Sequence, residues 1–105
     1  MAEPSQFVIS VQTIMTPLGD VQPKRMFGGW GLFLVGNMFA LINKAEELFL
    51  KADDENKDAF IAVGSVTHGK VPYYAAPAGT LDSWKNMQGW AKGAVAASLR
   101  AKKRK

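Results

Sequence analysis

Five groups of residues in this chain could take part in chemistry. His68 is the single histidine, and there is no cysteine. One imidazole without thiolates gives little support for a metal site. No Ser, Thr or carboxylate stands at a spacing that would make His68 a general base, so it reads as a loop histidine. Asp53, Asp54, Glu55 and Asp58 could supply oxygen ligands to Ca²⁺ or Mg²⁺. A helix–loop–helix calcium site, however, needs glycine at its sixth position, and counted from Asp53 that position is Asp58. The run fits a solvated helix start better, because carboxylates are favoured there. Gly28-Gly29-Trp30-Gly31, preceded by Arg25, has the glycine density of a phosphate loop. It lacks the Gly-Lys-Ser/Thr ending, and a strand-like rather than a helical segment follows. A bulge or tight bend is the better reading, with Arg25 an exposed or acid-paired arginine beside it.

The aromatic residues and the basic end remain. Tyr73, Tyr74, Trp30, Trp84 and Trp90 could stack on bases or line a pocket. Core packing accounts for most of them, with Tyr73 and Trp30 the candidates for a binding surface. The net charge is +4, yet Arg100, Lys102, Lys103, Arg104 and Lys105 carry five of the cations. Without these five the chain has eight basic and nine acidic residues, a net of −1. A nucleic-acid-binding face would need cations clustered on the folded part. The tail could instead contact phosphates in a salt-sensitive, sequence-independent way, or serve as a solvated helix end.

Length and composition bound the elements that position these groups. At 105 residues the chain has room for one domain with one core. The absence of cysteine fits a reducing, cytoplasmic setting. No signal-peptide pattern stands at Met1-Ala2-Glu3-Pro4. The longest apolar region is interrupted by Gly36-Asn37 and is too short to span a membrane.

Periodicity predicts a helix from Ser5 to Thr16, after Pro4, burying Phe7, Val11, Ile14, Met15 and Leu18 and ended by Pro17 and Gly19. Asp20 to Pro23 reads as a connector and Lys24 to Phe27 as a first strand. Gly31–Val35 and Met38–Asn43 form a hairpin about Gly36-Asn37. Glu47 to Ala52 is a fourth strand, with Leu48 and Leu50 on one face and Phe49 and Lys51 on the other. A second helix starts near Asp53, with Phe60 and Val63 (or Ile61) inward and Gly64 as its C′ residue. Val71 to Ala76 is strand-like, ended by Pro77-Ala78-Gly79. A long helix from about Leu81 follows, capped by Thr80, with Leu81, Trp84, Met87, Gln88, Ala91, Ala94, Val95 and Leu99 along one stripe. Gly89 and Gly93 weaken this helix but allow close packing.

Both hairpin strands are apolar on both faces, whereas a half-exposed antiparallel strand alternates. The sheet therefore needs two covers. One is the helix layer; the other is a second helix or a partner molecule, a homodimer among the options.

Together these pieces resemble the TfoX (Sxy) N-terminal domain family. Arg25-Met26-Phe27-Gly28-Gly29-Trp30-Gly31 resembles its R-x-M-F-G-G-x-G element, and Trp30 stands where the family often has tyrosine. Met38-Phe39-Ala40-Leu41-Ile42 resembles the next strand. Leu50-Lys51-Ala52-Asp53-Asp54-Glu55-Asn56 resembles the strand-to-helix junction. Tyr73-Tyr74 with Pro77 and the Trp90-Ala91 helix complete the pattern. The resemblance implies an α+β fold: a central antiparallel sheet with an N-terminal helix, a middle helix and a long C-terminal helix. Residues 1–99 would form this one domain and residues 100–105 a basic tail, without the second domain of full-length members.

The resemblance also implies a link to bacterial competence regulators, which act with a cyclic-AMP receptor protein at promoters. From it we expect a non-enzymatic regulatory module with a transcription-related protein partner, no cofactor, no metal and no membrane association. Arg25, Gly28, Gly29, Trp30, Tyr73 and Tyr74 are its candidate contact residues. Weak nucleic-acid binding through the tail, and a small-ligand site near Arg25, Tyr73 and His68, are the alternatives.

Overall fold

The computed structural model of the chain describes residues 5–26, 28–68 and 72–103, with side chains to residue 101. Pro4 as a helix start, Phe27 as a strand end and Val71 as a strand start lie outside these residues. Helix α1 (Gln6–Ile14) begins where Ser5 Oγ accepts the Val8 amide. Val8, Val11 and Met15 are buried. Val8 thus joins the stripe expected from the sequence, while Phe7, Ile14 and Leu18 pack half-buried at its margin. A 3-10 turn, Thr16–Leu18, carries Pro17 and ends the element.

Strand β1 (Val21–Met26) starts inside the segment expected to be a connector. Gln12 Nε2 donates to the Val21 carbonyl at 2.8 Å and fixes that start. Proline is tolerated at position 23 because β1 is an edge strand, where a missing N–H leaves no ladder bond unmade. Strands β2 (Gly29–Leu34) and β3 (Asn37–Ile42) form the hairpin. Its turn lies one residue earlier than the sequence reading placed it. Leu34 pairs with Asn37, so Val35 and Gly36 are the loop, at φ 50 and 80. Both are positive, as a type I′ turn requires. A valine in that conformation is costly, which is why the sequence points to Gly36-Asn37 instead.

Strand β4 (Leu48–Lys51) follows a loop pinned by Asn43, whose Oδ1 accepts the amides of Ala45 and Glu47. Helix α2 (Lys57–Ala62) is shorter than expected, and only Asp58 of the acidic run lies in its first turn. Phe60 is buried, but Ile61 and Val63 face solvent. Gly64, at φ 80, closes the helix. Its amide bonds the Ile61 carbonyl, and the Ser65 amide bonds that of Phe60, the paired bonds of a Schellman motif. Strand β5 (Tyr73–Ala75) is next. A 3-10 turn, Thr80–Asp82, then leads to α3 (Trp84–Lys103). Ser83, not Thr80, caps α3, with Oγ accepting the Asn86 amide at 3.3 Å. Met87, Ala91, Ala94, Ala97 and Ser98 form the buried stripe, and Leu99 is exposed. Gly93 lies at ordinary contact distance from Asn56, while Gly89 has open space around it.

The five strands form one antiparallel sheet in the order β1-β2-β3-β4-β5, and the fold is α+β as expected. Register fixes the two faces. Val21, Leu32, Ala40, Ile42, Leu48 and Leu50 point to one side, where they meet Val8, Val11, Phe60, Met87 and Ala91 in a single core. Leu32 pairs with Ala40 but Phe33 with Met38, so Phe39 is the extra residue of a β-bulge. The bulge lets the sequence neighbours Phe39 and Ala40 both enter the core. Phe60 locks α2 down, its ring 5.3 Å from Tyr74 and 4.9 Å from Trp90. Helices α1, α2 and α3 therefore all pack on this face.

Both sheet edges are blocked. Pro23 interrupts the outer side of β1. Along β5, the Ala75 amide bonds the Val66 carbonyl and the His68 amide bonds the Tyr73 carbonyl, each at 2.8 Å.

Candidate functional site

Among the described residues, no helix covers the second face of the sheet. That face holds a groove of about 520 Å³, within the usual size of ligand pockets (~300–1,000 Å³). Met26, Met38, Leu41, His68 and Tyr73 line it, with Lys44 at one end. The lining comes from β1, β3, the β3–β4 loop, the segment ahead of β5 and β5 itself, all brought together by the register of the sheet.

The glycine-rich motif has a mechanical role here. A Cβ at Gly29 would collide with the Ile42 carbonyl oxygen, so glycine lets β2 and β3 come close beside the groove. A Cβ at Gly31 would lie 2.6 Å from Met26 Sδ and 2.9 Å from Met38 Sδ. Gly31 thus leaves the space into which both thioethers converge. Thioether side chains have three rotatable bonds and polarizable sulfur, so such walls re-pack around different apolar shapes.

The far wall is aromatic. The His68 ring lies 4.8 Å from that of Phe49. Tyr73 is buried and its hydroxyl points to the Met38 carbonyl at 3.5 Å, the outer limit of a hydrogen bond. Burial pushes the Tyr73 phenol above the ordinary tyrosine value. Lys51 extends over the Tyr73 ring, Nζ 5.0 Å from its centroid. Partial burial lowers the Lys51 pKa, and nearby Asp53 offsets some of that. Lys24 lies over Phe33 in the same way, at 4.9 Å.

The structure divides the residues singled out from the sequence. Gly29 and Tyr73 line the groove. Arg25 and Trp30 face each other across β1 and β2 on the helix-covered side, the guanidinium 5.9 Å from the indole centroid. Tyr74 is on that side too, stacked on Phe60. Gly28 is exposed in the β1–β2 turn at φ 78. A site uniting Arg25, Tyr73 and His68 is therefore not formed: Tyr73 and His68 meet, and Arg25 is on the opposite face. Met26, Met38, Leu41 and Lys44 escaped the sequence reading as site residues. The available signal was the doubly apolar hairpin, which marked the face without marking its members.

Arg100 is held by the fold. Its Nε and Nη2 bond the two carboxylate oxygens of Asp53, at 2.5 and 2.8 Å, and Nε lies 3.1 Å from Glu55. Asn56 completes this junction: its Oδ1 accepts the Asp53 amide and its Nδ2 donates to the Lys51 carbonyl. Helix α3 continues through Lys103, so Arg100 belongs to its last turns. The side chains of Lys102 and Lys103, and all of Arg104 and Lys105, lie outside the described residues. Among the described residues no helix is long and apolar enough to cross a membrane, and no three His, Cys, Asp or Glu residues gather as metal ligands.

A comparison with curated proteins gives no match. The model of the TfoX N-terminal domain matches residues 13–98, from the end of α1 through all five strands and α2 to most of α3. With most of its length matched, this chain belongs to the TfoX N-terminal domain family.

Proposed function

We propose that this domain is a non-enzymatic regulatory module that works through protein–protein contact in transcription, with the helix-free sheet face as its contact surface. Membership of the TfoX N-terminal domain family supports the regulatory part. The observation that carries the contact part is the apolar groove on the sheet face that no helix covers among the described residues. Leu41 and Met38 in the groove, and Phe33 on the same face beside it, are only half-buried, while their neighbours in sequence Phe39, Ala40, Ile42 and Leu32 are sealed beneath the helices. Contiguous apolar surface left incompletely covered marks interaction sites.

Site-specific photocrosslinking in the host lysate tests the reading. A crosslinker at Leu41 is expected to capture a transcription protein, and one at Lys92, exposed on α3, is not. Equal capture from both positions, or no transcription protein from Leu41, would overturn it.

A further inference from the structure

The helix-free face covers part of itself. Phe49 pairs with Leu41 across β3 and β4 and shares that face, yet it is buried, with the His68 ring 4.8 Å from its own. Tyr73, on β5, sends its hydroxyl past β4 to the Met38 carbonyl of β3. The two rings therefore roof β4 and stop at β3. What remains is a bounded recess over β2 and β3, with Met26 of β1 on its other side. A concave, mostly apolar space with few polar groups is the form of a small-molecule site.

Among those polar groups His68 stands apart. Asn43 is spent on its own loop: its Oδ1 accepts the Ala45 and Glu47 amides and its Nδ2 donates to the Glu47 carboxylate. The Tyr73 hydroxyl already points at the Met38 carbonyl. The His68 ring is half-buried in the lining, and among the described residues neither of its nitrogens has a hydrogen-bond partner. An imidazole presents one donor and one acceptor, so a hydrogen-bonding group in the recess would be met there.

The charges around the groove balance, with Lys24, Lys44 and Lys51 matched by Asp20, Glu46 and Glu47. Such surroundings select no ion, and an ion among thioethers and rings would lose water without a counter-charge. The walls narrow the choice further. The Met26 and Met38 sulfurs converge above Gly31, and Tyr73 and His68 bring rings to the other side. Sulfur and aromatic walls both favour an aromatic occupant over a saturated one of the same shape.

We propose that the groove binds a neutral aromatic small molecule, its rings between the Met26 and Met38 thioethers and the Tyr73 ring, and its hydroxyl donating to a ring nitrogen of His68. This goes beyond the contact reading and does not depend on it.

The full chain with 2-naphthol tests it, alongside three relatives that each change one property. Naphthalene lacks the hydroxyl, decahydro-2-naphthol lacks the aromatic rings, and 2-naphthoate is charged. Binding is read from the methionine methyl resonances, with Met15 and Met87, buried in the core, as internal references. 2-Naphthol is expected to shift Met26 and Met38 saturably and to leave Met15 and Met87 in place. Each relative should bind about tenfold more weakly. His68 is the single histidine, so its ring nitrogen resonances are assigned without mutation, and they should move with 2-naphthol but not with naphthalene. His68→Leu should bring 2-naphthol down to the affinity of naphthalene and leave naphthalene binding intact, which also shows that the variant is folded.

Equal binding of decahydro-2-naphthol or of 2-naphthoate would overturn the chemical class. Still nitrogen resonances with bound 2-naphthol would remove His68 from the site and overturn the proposal. So would Met15 and Met87 shifting along with Met26 and Met38, which means entry into the core, or Met26 and Met38 shifts that follow protein concentration alone, which give the groove to a second copy. If no compound moves Met26 and Met38, the proposal falls. These spectra are taken on the purified chain and the Leu41 crosslink in lysate, so either reading can fail without the other.

Discussion

The two faces of the sheet are made by the same strands and end differently. On the helix side, Leu50, Ala40, Ile42 and Leu32 are sealed by three helices. On the other side, Leu41, Phe33 and Met38 come from the same hairpin and stay half-buried. Strand parity, shifted once by the bulge at Phe39, sorts them. The sequence makes both sides apolar and supplies helices for one, so hydrophobicity by itself does not separate a core from a contact surface. What separates them is the material available to cover each. The covering side is rich in alanine where α3 approaches, with Ala91, Ala94 and Ala97 fully buried. The open side has methionines and ringed lysines, which tolerate rearrangement.

Substitutions at matched positions can break this contrast. Leu50→Ala should cost about 2–5 kcal/mol in chemical denaturation, while Leu41→Ala, one strand away, should cost about 1 kcal/mol or less because its site is not closed. The binding effects should run the other way, with Leu41→Ala losing the crosslinked partner. Comparable stability losses at both positions would mean that the open face is core after all.

The two glycines of β2 make a finer contrast. Gly29→Ala drives a methyl into the Ile42 backbone, and a loss of about 2–3 kcal/mol or more is expected. Gly31→Ala meets the ends of two methionines and the edge of the Phe33 ring, all side-chain atoms, and should cost about 1 kcal/mol. The Gly31 variant should nevertheless narrow the groove, which the Met26 and Met38 methyl shifts would register.

Val35→Asn acts on neither face. Asparagine accepts the left-handed conformation that valine holds at φ 50, so the variant should gain about 1 kcal/mol with the Leu41 crosslink unchanged. Altered binding would mean that the turn belongs to the contact surface.

The smallest effect concerns Tyr73. Its raised pKa means that folding favours the neutral phenol. The stabilisation is complete below the ordinary tyrosine value near ~10 and lost as pH rises through the raised value. Tyr73→Phe should flatten part of the alkaline decline in stability measured by urea titration. An unchanged decline would show that this ring does not sense the open face.

Much of the fold was legible because its signals are local. The two-sided hairpin, the acidic lead into α2, Gly64 and the long last helix all follow from spacing within a few residues. The misses each had a competing cause. Pro23 argues against a strand unless the strand is known to be an edge. Val35 argues against a turn that the flanking pairing imposes. Ser83 and Thr80 are both good caps, and the 3-10 turn decides between them. The groove was not legible residue by residue, since Met26, Met38, His68 and Tyr73 meet only through strand register. The clasp between Arg100 and Asp53 spans 47 residues and leaves no periodic trace.

That clasp, with the core contacts of α3, gives the chain a timetable. During synthesis α1 and β1 to β4 emerge before α3, so the nascent sheet passes through a stage in which even its helix face is only partly covered. Only when α3 has cleared the ribosome can Met87 and Ala91 close one face and Arg100 fasten the end. Cutting the chain after residue 99 would remove the fastener as well as the charge, whereas cutting after 101 keeps it. Between the arrival of β4 and that of α3 the growing chain leaves Leu32, Ala40, Ile42 and Leu50 without the helix that completes their cover.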